Sequence, residues 1–429
     1  MKKVCLILIS LTMSVSLLAQ KDEIIKTGWN FGPLPVVGFD SDLGFQYGLC
    51  CDIFNYGNGT NYPQYDYKIN VEASTYTKGS SVLRTYGDFK TLIPDGKLFF
   101  DVTYFNAPKF GFYGYNGFAT EYNPDYIFPA ALALTDTKSG YYMMSRNQFR
   151  AVASIRKTIT GNLSWAAGLA FYHINTDTLK LKEYQGQGTL YKIYSQPDKD
   201  LIHENEKNGG NVTQIRAGLI YDSRNHDSDP TKGENIELSL VYAPDLIDGN
   251  GYSNLGLHLS VSQFLPVFTE RLTFAYRALV QAKLWGEIPY YFTNNINSMF
   301  FRKMYTEGLG GNASVRGMNR NGVLSDGFFM LNAELRWRIY DFKFINQNWQ
   351  IATNPFFDMG TIIQPYRLEQ QKKFPMLYGG NETRPHFTAG LGIKLVMNHN
   401  MIISFEGGKP FDKNDGRGLW TNIGFNYLF

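Results

Sequence analysis

Apolar and polar residues alternate along most of this chain, with the period of two that is typical of β-strands. In the segment 271–286, Leu272 and Phe274 alternate with Arg271 and Thr273, and the same alternation continues to the end of the segment. Several other segments repeat it. Each predicted strand therefore has one apolar side and one polar side, as expected where one side of a sheet faces lipid and the other faces water.

Sixteen segments have this pattern or a strand-like composition, and turn residues separate many of them. An even number of antiparallel strands is usual for bacterial barrels made of one chain. The pattern therefore predicts an all-β protein, a transmembrane antiparallel β-barrel of about 16 strands with an inward-folded loop. The predicted strands are 27–39, 43–56, 65–78, 81–92, 96–107, 141–159, 163–177, 211–225, 233–244, 252–267, 271–286, 326–340, 349–362, 386–398, 401–410 and 418–429.

The lengths of the connections follow a parity rule. The long connections, 108–140, 178–210, 287–325 and 363–385, all follow odd-numbered strands, whereas the connections after even-numbered strands are mostly short. Outer-membrane barrels have long loops at one end and short turns at the other. The parity therefore favours an outer-membrane barrel.

The joint between the first and last strands is expected to be the weakest in the wall. An open sheet in hydrocarbon would leave backbone groups without partners, so these two strands must pair. The first strand contains Pro33 and Pro35, and proline has no N–H to donate to a neighbouring strand.

Composition agrees with a membrane barrel. Aromatic residues make up 16% of the 429 residues, 42 are glycine, and the mean hydropathy is only −0.27. The net charge of +3 arises from interleaved acidic and basic residues, which argues against nucleic-acid binding. Cys50 and Cys51 are neighbours on a predicted strand and point to opposite faces, so neither a disulfide framework nor a metal site is expected.

The N-terminal residues are predicted to direct export. A basic start is followed by a short apolar stretch, and Ala19 offers a small residue for cleavage. We expect a cleaved signal peptide at 1–19, a short periplasmic stub at 20–26 and an outer-membrane β-barrel at 27–429. The predicted location is the outer membrane of a Gram-negative bacterium.

One long connection contains a glycine-rich segment with a single cation, Arg316. This segment is either an ordinary surface loop or a loop folded back into the barrel. Strand alternation points Glu334, Asp358 and Glu406 inward, where a guanidinium can form paired hydrogen bonds with a carboxylate. The alternative from spacing alone is a wet lumen in which charges pair opportunistically, each pair contributing little.

Several segments resemble motifs of one family, the bacterial surface antigen or BamA/TamA-type superfamily of outer-membrane assembly-factor barrels. Segment 309–318 begins with a Gly-Gly entry and ends in Val-Arg-Gly-Met, which is similar to the Val-Arg-Gly-aromatic tip of that family's inward-folded loop. Segments 221–224 and 229–233 resemble its Tyr-Asp-Thr-Arg-Asp…Pro-Thr-Arg-Gly turn. Segments 331–336 and 356–360 resemble the strand after the loop and the Phe-x-Asp-x-Gly strand whose Asp holds the loop Arg.

The resemblance covers about 215–429 and assigns roles to particular residues. Met318 replaces the usual aromatic residue at the loop tip. The implied residues are Gly310 and Gly311 at the loop entry; Val315, Arg316, Gly317, Met318, Glu334 and Asp358 in the loop strut; Asp222, Arg224, Pro230 and Gly233 in the turn; and Phe425, Tyr427 and Phe429 in a C-terminal barrel signal.

The resemblance implies a function in outer-membrane protein assembly, or in translocation of polypeptide or lipid, through opening of the seam between the first and last strands. Family members of this type carry periplasmic POTRA domains before the barrel, and the stub here is too short for one. We therefore expect a separate periplasmic protein or lipoprotein partner. The other expected partners are outer-membrane lipids and the barrel assembly machinery, of which this barrel would itself be a client; no cofactor or nucleic acid is expected.

Two other functions stay open. One is a structural docking subunit that uses the loops 108–140 and 178–210, the first of which is rich in aromatic residues. The other is a passive pore with a basic lumen lined by Arg150, Arg156, Arg216, Arg277, Lys283, Arg336, Arg338 and Lys394.

An enzyme is not expected, because none of the six His lies near a nucleophile motif.

Overall fold

The structure is a computed structural model. Residues 1–24, which contain the expected signal peptide, lie outside the described residues, so the cleavage site stays a prediction. The described residues are 25–62, 64–122, 140–179, 188–293, 295–300, 308–344, 347–380, 384–397, 401–416, 418–425 and 427–429.

The described residues form one closed antiparallel barrel in which every strand pairs with its neighbours in sequence and β1 pairs with β16. This confirms the predicted 16-stranded all-β fold. The strands are β1 Trp29–Asp40, β2 Gly44–Asn55, β3 Tyr67–Tyr76, β4 Ser81–Phe89, β5 Gly96–Gly111, β6 Met143–Thr160, β7 Leu163–Asp177, β8 Gly209–Asp222, β9 Gly233–Ala243, β10 Asn254–Val267, β11 Thr269–Gly286, β12 Gly327–Phe344, β13 Gln347–Gln364, β14 His386–Met397, β15 Met401–Pro410 and β16 Trp420–Phe425.

The barrel is apolar outside and polar inside, the reverse of a water-soluble protein. Leu49 and Phe31 are 72% and 70% exposed on the outer surface, whereas Arg150 and Lys394 are fully buried on the inner one. A lipid-facing wall explains both observations, because hydrocarbon accepts apolar side chains and excludes charged ones.

Described residues of the long connections pack together at the end of the barrel where odd-numbered strands finish. Two short helices, α1 (Leu190–Tyr194) and α2 (Leu368–Lys372), lie in the connections that follow β7 and β13. Aromatic residues from several connections pack there into one buried cluster, which includes Tyr115, Tyr194 and Tyr290. Among the described residues, no helix has the length and apolar character needed to cross a membrane.

The chain departs from its predicted path after β16. The alternation predicted a strand over 418–429, but β16 ends at Phe425. Tyr427, Leu428 and Phe429 are 3%, 7% and 8% exposed, and Phe429 packs on the inward ring of Phe264. The inner wall offers Tyr427 and Phe429 aromatic and cationic partners, which accounts for the difference.

Candidate functional site: the inward loop and the seam

The described residues of the connection between β11 and β12, 287–293, 295–300 and 308–325, enter the barrel, and we call them the inward loop. Its glycines permit this path at two points in particular. Gly310 has a φ of 104°, and a Cβ there would lie 2.2 Å from the Asn319 carbonyl oxygen. Gly317 has a φ of 92°, and a Cβ there would lie 3.1 Å from the Lys409 backbone nitrogen. Other residues would strain both turns.

Arg316 is the central residue of the loop, and it is completely buried. Its Nε donates to Asp358 Oδ2 at 2.8 Å and its Nη2 to Asp358 Oδ1 at 2.9 Å, a bidentate pair. The Arg316 backbone N–H donates to Asp358 Oδ2 as well, at 3.0 Å. Nη1 donates to Glu334 Oε1 at 2.6 Å and to Glu406 Oε1 at 2.9 Å. One side chain thus joins β12, β13 and β15 to the loop.

Two further cations balance the three carboxylates around Arg316. Arg336 Nε donates to Glu334 Oε2 at 2.8 Å, and Lys394 Nζ donates to Glu406 Oε1 at 2.7 Å. Three positive side chains therefore face three negative ones in a water-poor interior. This balance matters because an unpaired charge at such a depth costs several kcal/mol.

The guanidinium of Arg316 also lies over an aromatic ring. Its Cζ is 3.7 Å from the centroid of the Phe356 ring, two residues before Asp358 on β13. A planar cation stacked on a ring and bonded at its edge has little rotational freedom. The motif strand 356–360 therefore supplies both the ring and the carboxylate.

Apolar contacts complete the attachment of the loop to the wall. Leu309, Val315 and Met318 pack with Phe328 and Met330 of β12. Gly360 on β13 leaves the necessary room: a Cβ at that position would lie 2.9 Å from Leu309 Cδ2 and 3.0 Å from Val315 Cγ2. Met318, which replaces the usual aromatic residue, is 2% exposed in this cluster.

The predicted turn motif lies elsewhere, at the short-turn end of the barrel. Arg224 donates from Nε and Nη2 to the two Asp222 carboxylate oxygens, at 2.8 and 2.9 Å. Gly233 has a φ of 95° at the start of β9, and Pro230 is buried. The structure thus joins the turn residues to one another and not to Arg316.

The seam between β1 and β16 is short. Among the described residues it contains two register pairs, Phe39 with Ile423 and Asp40 with Asn422, whereas β15 and β16 share six. The adjacent Ser41 adds a backbone hydrogen bond from its N–H to the Thr421 carbonyl oxygen, at 3.1 Å. Most of β1 has no register partner in β16.

The C-terminal residues pack inside the barrel, beside the seam. Arg336 Nη2 donates to the Phe429 carbonyl oxygen at 2.9 Å, and its Cζ lies 4.0 Å from the Tyr427 ring centroid. The predicted signal residues are therefore divided: Phe425 is 46% exposed on the outer surface, and the other two are buried.

The cations that would line a basic pore are bonded to neighbouring groups. Six of the eight pair with a carboxylate, and Arg216 and Arg277 donate to neutral oxygens.

The first part of the inward loop also contacts the opposite wall: Met299 N donates to Glu237 at 2.8 Å, and Ser154 Oγ donates to the Met299 carbonyl oxygen at 3.0 Å.

Sequence reasoning missed several residues of this site. Asn332 Nδ2 donates to the Ser314 carbonyl oxygen at 2.7 Å, and Arg277 Nη2 donates to that of Ala313 at 3.1 Å. Alternation places both side chains inside, but it does not tell which strand the loop backbone will approach. In the described part of the chain, no group of three or more His, Cys, Asp or Glu side chains is arranged to hold a metal ion.

Comparison with known proteins identifies the family. The solved structure of BamA from Haemophilus ducreyi lacking POTRA domains 1–3 is 14% identical, with a TM-score of 0.57 over 94% of this chain and 70% of that one. CdiB from Escherichia coli is 11% identical, with a TM-score of 0.56 over 94% of this chain and 64% of that one. No curated protein sequence matches the chain. The model of the Omp85 superfamily domain matches residues 61–427, and the chain therefore belongs to the Omp85 superfamily.

Proposed function

We propose that this outer-membrane barrel helps to assemble proteins in the membrane, or to translocate polypeptide or lipid across it, by separating β1 from β16. The observation that carries the proposal is the seam with two register pairs, in a wall whose next shortest joint has six. Opening that joint exposes few backbone groups to hydrocarbon, so it costs less than opening any other.

The Arg316 network has a defined part in this proposal. It fixes the inward loop to β12, β13 and β15, so that this part of the wall keeps its position when β1 moves. Arg316 and Asp358 then act as an internal strut that preserves the barrel while its seam opens. Arg336 and Lys394 balance the charges of the other carboxylates, Glu334 and Glu406, and keep the network neutral.

Membership of the Omp85 superfamily supports assembly or transport over catalysis. The loop inside the lumen and the paired cations both weigh against an open anion pore. The chain spans 64% of the length of the CdiB structure. For this chain, the activity of that whole protein is therefore a proposal.

We infer a separate periplasmic protein or lipoprotein as the partner that delivers substrate. Affinity purification of the tagged barrel from native outer membranes tests this inference. A stoichiometric periplasmic protein or lipoprotein in the eluate is expected, and a barrel recovered alone would contradict a stable partner.

Depletion of the barrel tests the proposed function. After depletion we expect the outer membrane to lose a defined set of proteins or lipids, which quantitative proteomics and lipid analysis would measure. Expression of the wild-type chain should restore them. A passive pore would instead change solute uptake and leave membrane composition as it was, and that result would contradict the proposal.

A further inference from the structure

The inward loop also reaches the seam itself, through two residues that lie on either side of Arg316. Arg320 Nη2 donates to Asp40 Oδ2 of β1 at 2.6 Å. Asn312 Nδ2 donates to the same Asp40 oxygen at 3.0 Å and to Asn422 Oδ1 of β16 at 3.3 Å. Asp40 and Asn422 are the residues of one of the two register pairs that close the barrel.

We propose that Asn312 and Arg320 form a latch that holds the seam closed, so that β1 separates from β16 only after these two loop residues have moved away from the seam. The proposal rests on the seam opening inferred above and adds the element that controls it. Asn312 bridges the two strands directly, and Arg320 supplies the charge that Asp40 requires.

Asp40 and Arg320 are both buried, which strengthens the contribution of the latch to closure of the seam. Asp40 is 3% exposed and Arg320 is 6% exposed, so neither group can replace its partner with bulk water. Hydrogen bonds with a charged partner are about twice as strong as neutral ones. Because two register pairs join β1 to β16, the side-chain bonds to Asp40 contribute much of what closes the seam.

The latch and the strut share one short segment of chain. Arg316 and Arg320 are separated by three residues, and one of these, Asn319, donates its N–H to the Asp415 carbonyl oxygen at 2.6 Å. Asp415 lies in the connection that leads into β16. With Arg316 held by the strut, a displacement of Asn312 and Arg320 away from the seam would release Asp40 and Asn422 together, which couples the conformation of the loop on both sides of Arg316 to seam opening.

Amide hydrogen exchange of the purified full-length barrel in lipid nanodiscs tests the latch without any substrate. The test variant combines Asn312→Ala with Arg320→Gln, which leaves Arg316 and its carboxylates in place. We expect exchange of peptides containing Ser41 and Thr421 to accelerate by about tenfold or more, while peptides from the β10–β11 joint stay as in the wild type.

Two further variants make the result decisive. Arg271→Gln is the matched control, because Arg271 forms an exposed ion pair with Asp341 at the other end of the barrel. In this variant, amide exchange at the seam should equal that of the wild type. Asp40→Asn keeps an oxygen for the N–H groups of Asp42 and Leu43 but removes the charge that Arg320 binds, so it should also accelerate exchange at the seam.

The outcomes separate the latch from the proposed function. Seam exchange equal to the wild type in both latch variants, or equal acceleration at every joint, would overturn the latch and leave the proposed function standing. Faster exchange confined to the seam would establish the latch, even where depletion of the barrel leaves the membrane composition unchanged and the proposed function fails.

Discussion

Arg316 is a single side chain that connects the inward loop to three strands of the barrel. It is fully buried, its positive charge is met by carboxylates from three strands, and its ring contact with Phe356 fixes its orientation. A fork of five donors suits this set of acceptors, whereas the ammonium group of lysine does not offer the same planar geometry.

Replacement Arg316→Ala should therefore destabilise the barrel by about 3 to 5 kcal/mol, since Asp358 would remain as a buried charge without its main counter-ion. The compact form that resists SDS should unfold at a lower temperature, as measured by the shift in gel mobility on heating. Arg271→Ala, which removes an exposed ion pair, is the control and should have little effect. Unchanged mobility in the Arg316 variant would contradict the strut.

Gly360→Ala should displace the inward loop without removing any charge. The new Cβ would lie within about 3 Å of Leu309 and Val315 side-chain atoms, so we expect destabilisation of about 1 to 3 kcal/mol. Gly407→Ala, on β15 two strands away, is the matched control, because the nearest atom there is 3.6 Å away. Equal melting temperatures for the two variants would show that the loop does not pack on Gly360.

Asp42, in the turn between β1 and β2, gives the seam a dependence on pH. Burial and the nearby Asp40 carboxylate raise the pKa of Asp42 to about 6, from an ordinary value of 3.8. A raised carboxyl pKa means that the contribution of Asp42 to stability is fully present below about pH 4 and is lost as the pH rises through 6. The wild-type barrel should therefore melt at a higher temperature at pH 5 than at pH 7.5.

The variant Asp42→Asn isolates this contribution. It should reduce the difference in melting temperature between the two pH values, because the residue can no longer ionise. Asp198→Asn, at an exposed position in the connection after β7, is the control and should preserve the wild-type difference. An unreduced difference in the Asp42 variant would assign the pH dependence to other groups.

At the residue scale, alternation and motif order were enough to select Arg316 and its three carboxylates. The seam partners Asn312, Arg320 and Asp40 were not selected. Their contacts join positions about 270 to 280 residues apart, and no local pattern in the sequence brings them together.

At the scale of elements, most strands follow their predicted bounds because two-sided burial specifies register strongly. The exception is β16, where period-two alternation continues to the last residue and yet the strand stops at Phe425. An apolar residue fits the lipid face and the aromatic-lined inner wall alike, so the pattern alone could not distinguish them. Here the inner partner, Arg336, decides the outcome.

Phe429→Ala should consequently weaken the packing of the C-terminal residues against the inner wall. Loss of its contacts with Phe264 and Arg336 is expected to lower stability by about 3 kcal/mol, measured on barrels refolded in detergent so that cellular assembly plays no part. Phe425→Ala, on the outer face of the same segment, should cost less. A larger loss for Phe425 would place the C-terminal residues outside the barrel.

At the scale of the whole molecule, the proposed function needs a rigid side and a weak joint. The inward loop contacts β12, β13 and β15 through Arg316, and few register pairs join β1 to β16. From the sequence, the prolines of β1 were the reason to expect a weak joint, and its weakness stays a prediction. The early end of β16, which shortens the seam much further, is a tertiary effect.

The most direct test of the account is a disulfide across the seam, formed by Phe39→Cys with Ile423→Cys in a chain whose Cys50 and Cys51 are serine. These positions are register partners, and the spacing of paired strands suits a disulfide. The matched control joins β10 and β11 through Val261→Cys and Ala278→Cys, which are partners in a fully paired joint.

The account predicts that the oxidised seam variant fails to restore the outer-membrane composition of depleted cells, and that a reductant reverses the failure. The β10–β11 disulfide should support normal composition under both conditions. A barrel whose seam is cross-linked and which restores composition as well as the wild type would contradict the central claim that β1 and β16 must separate.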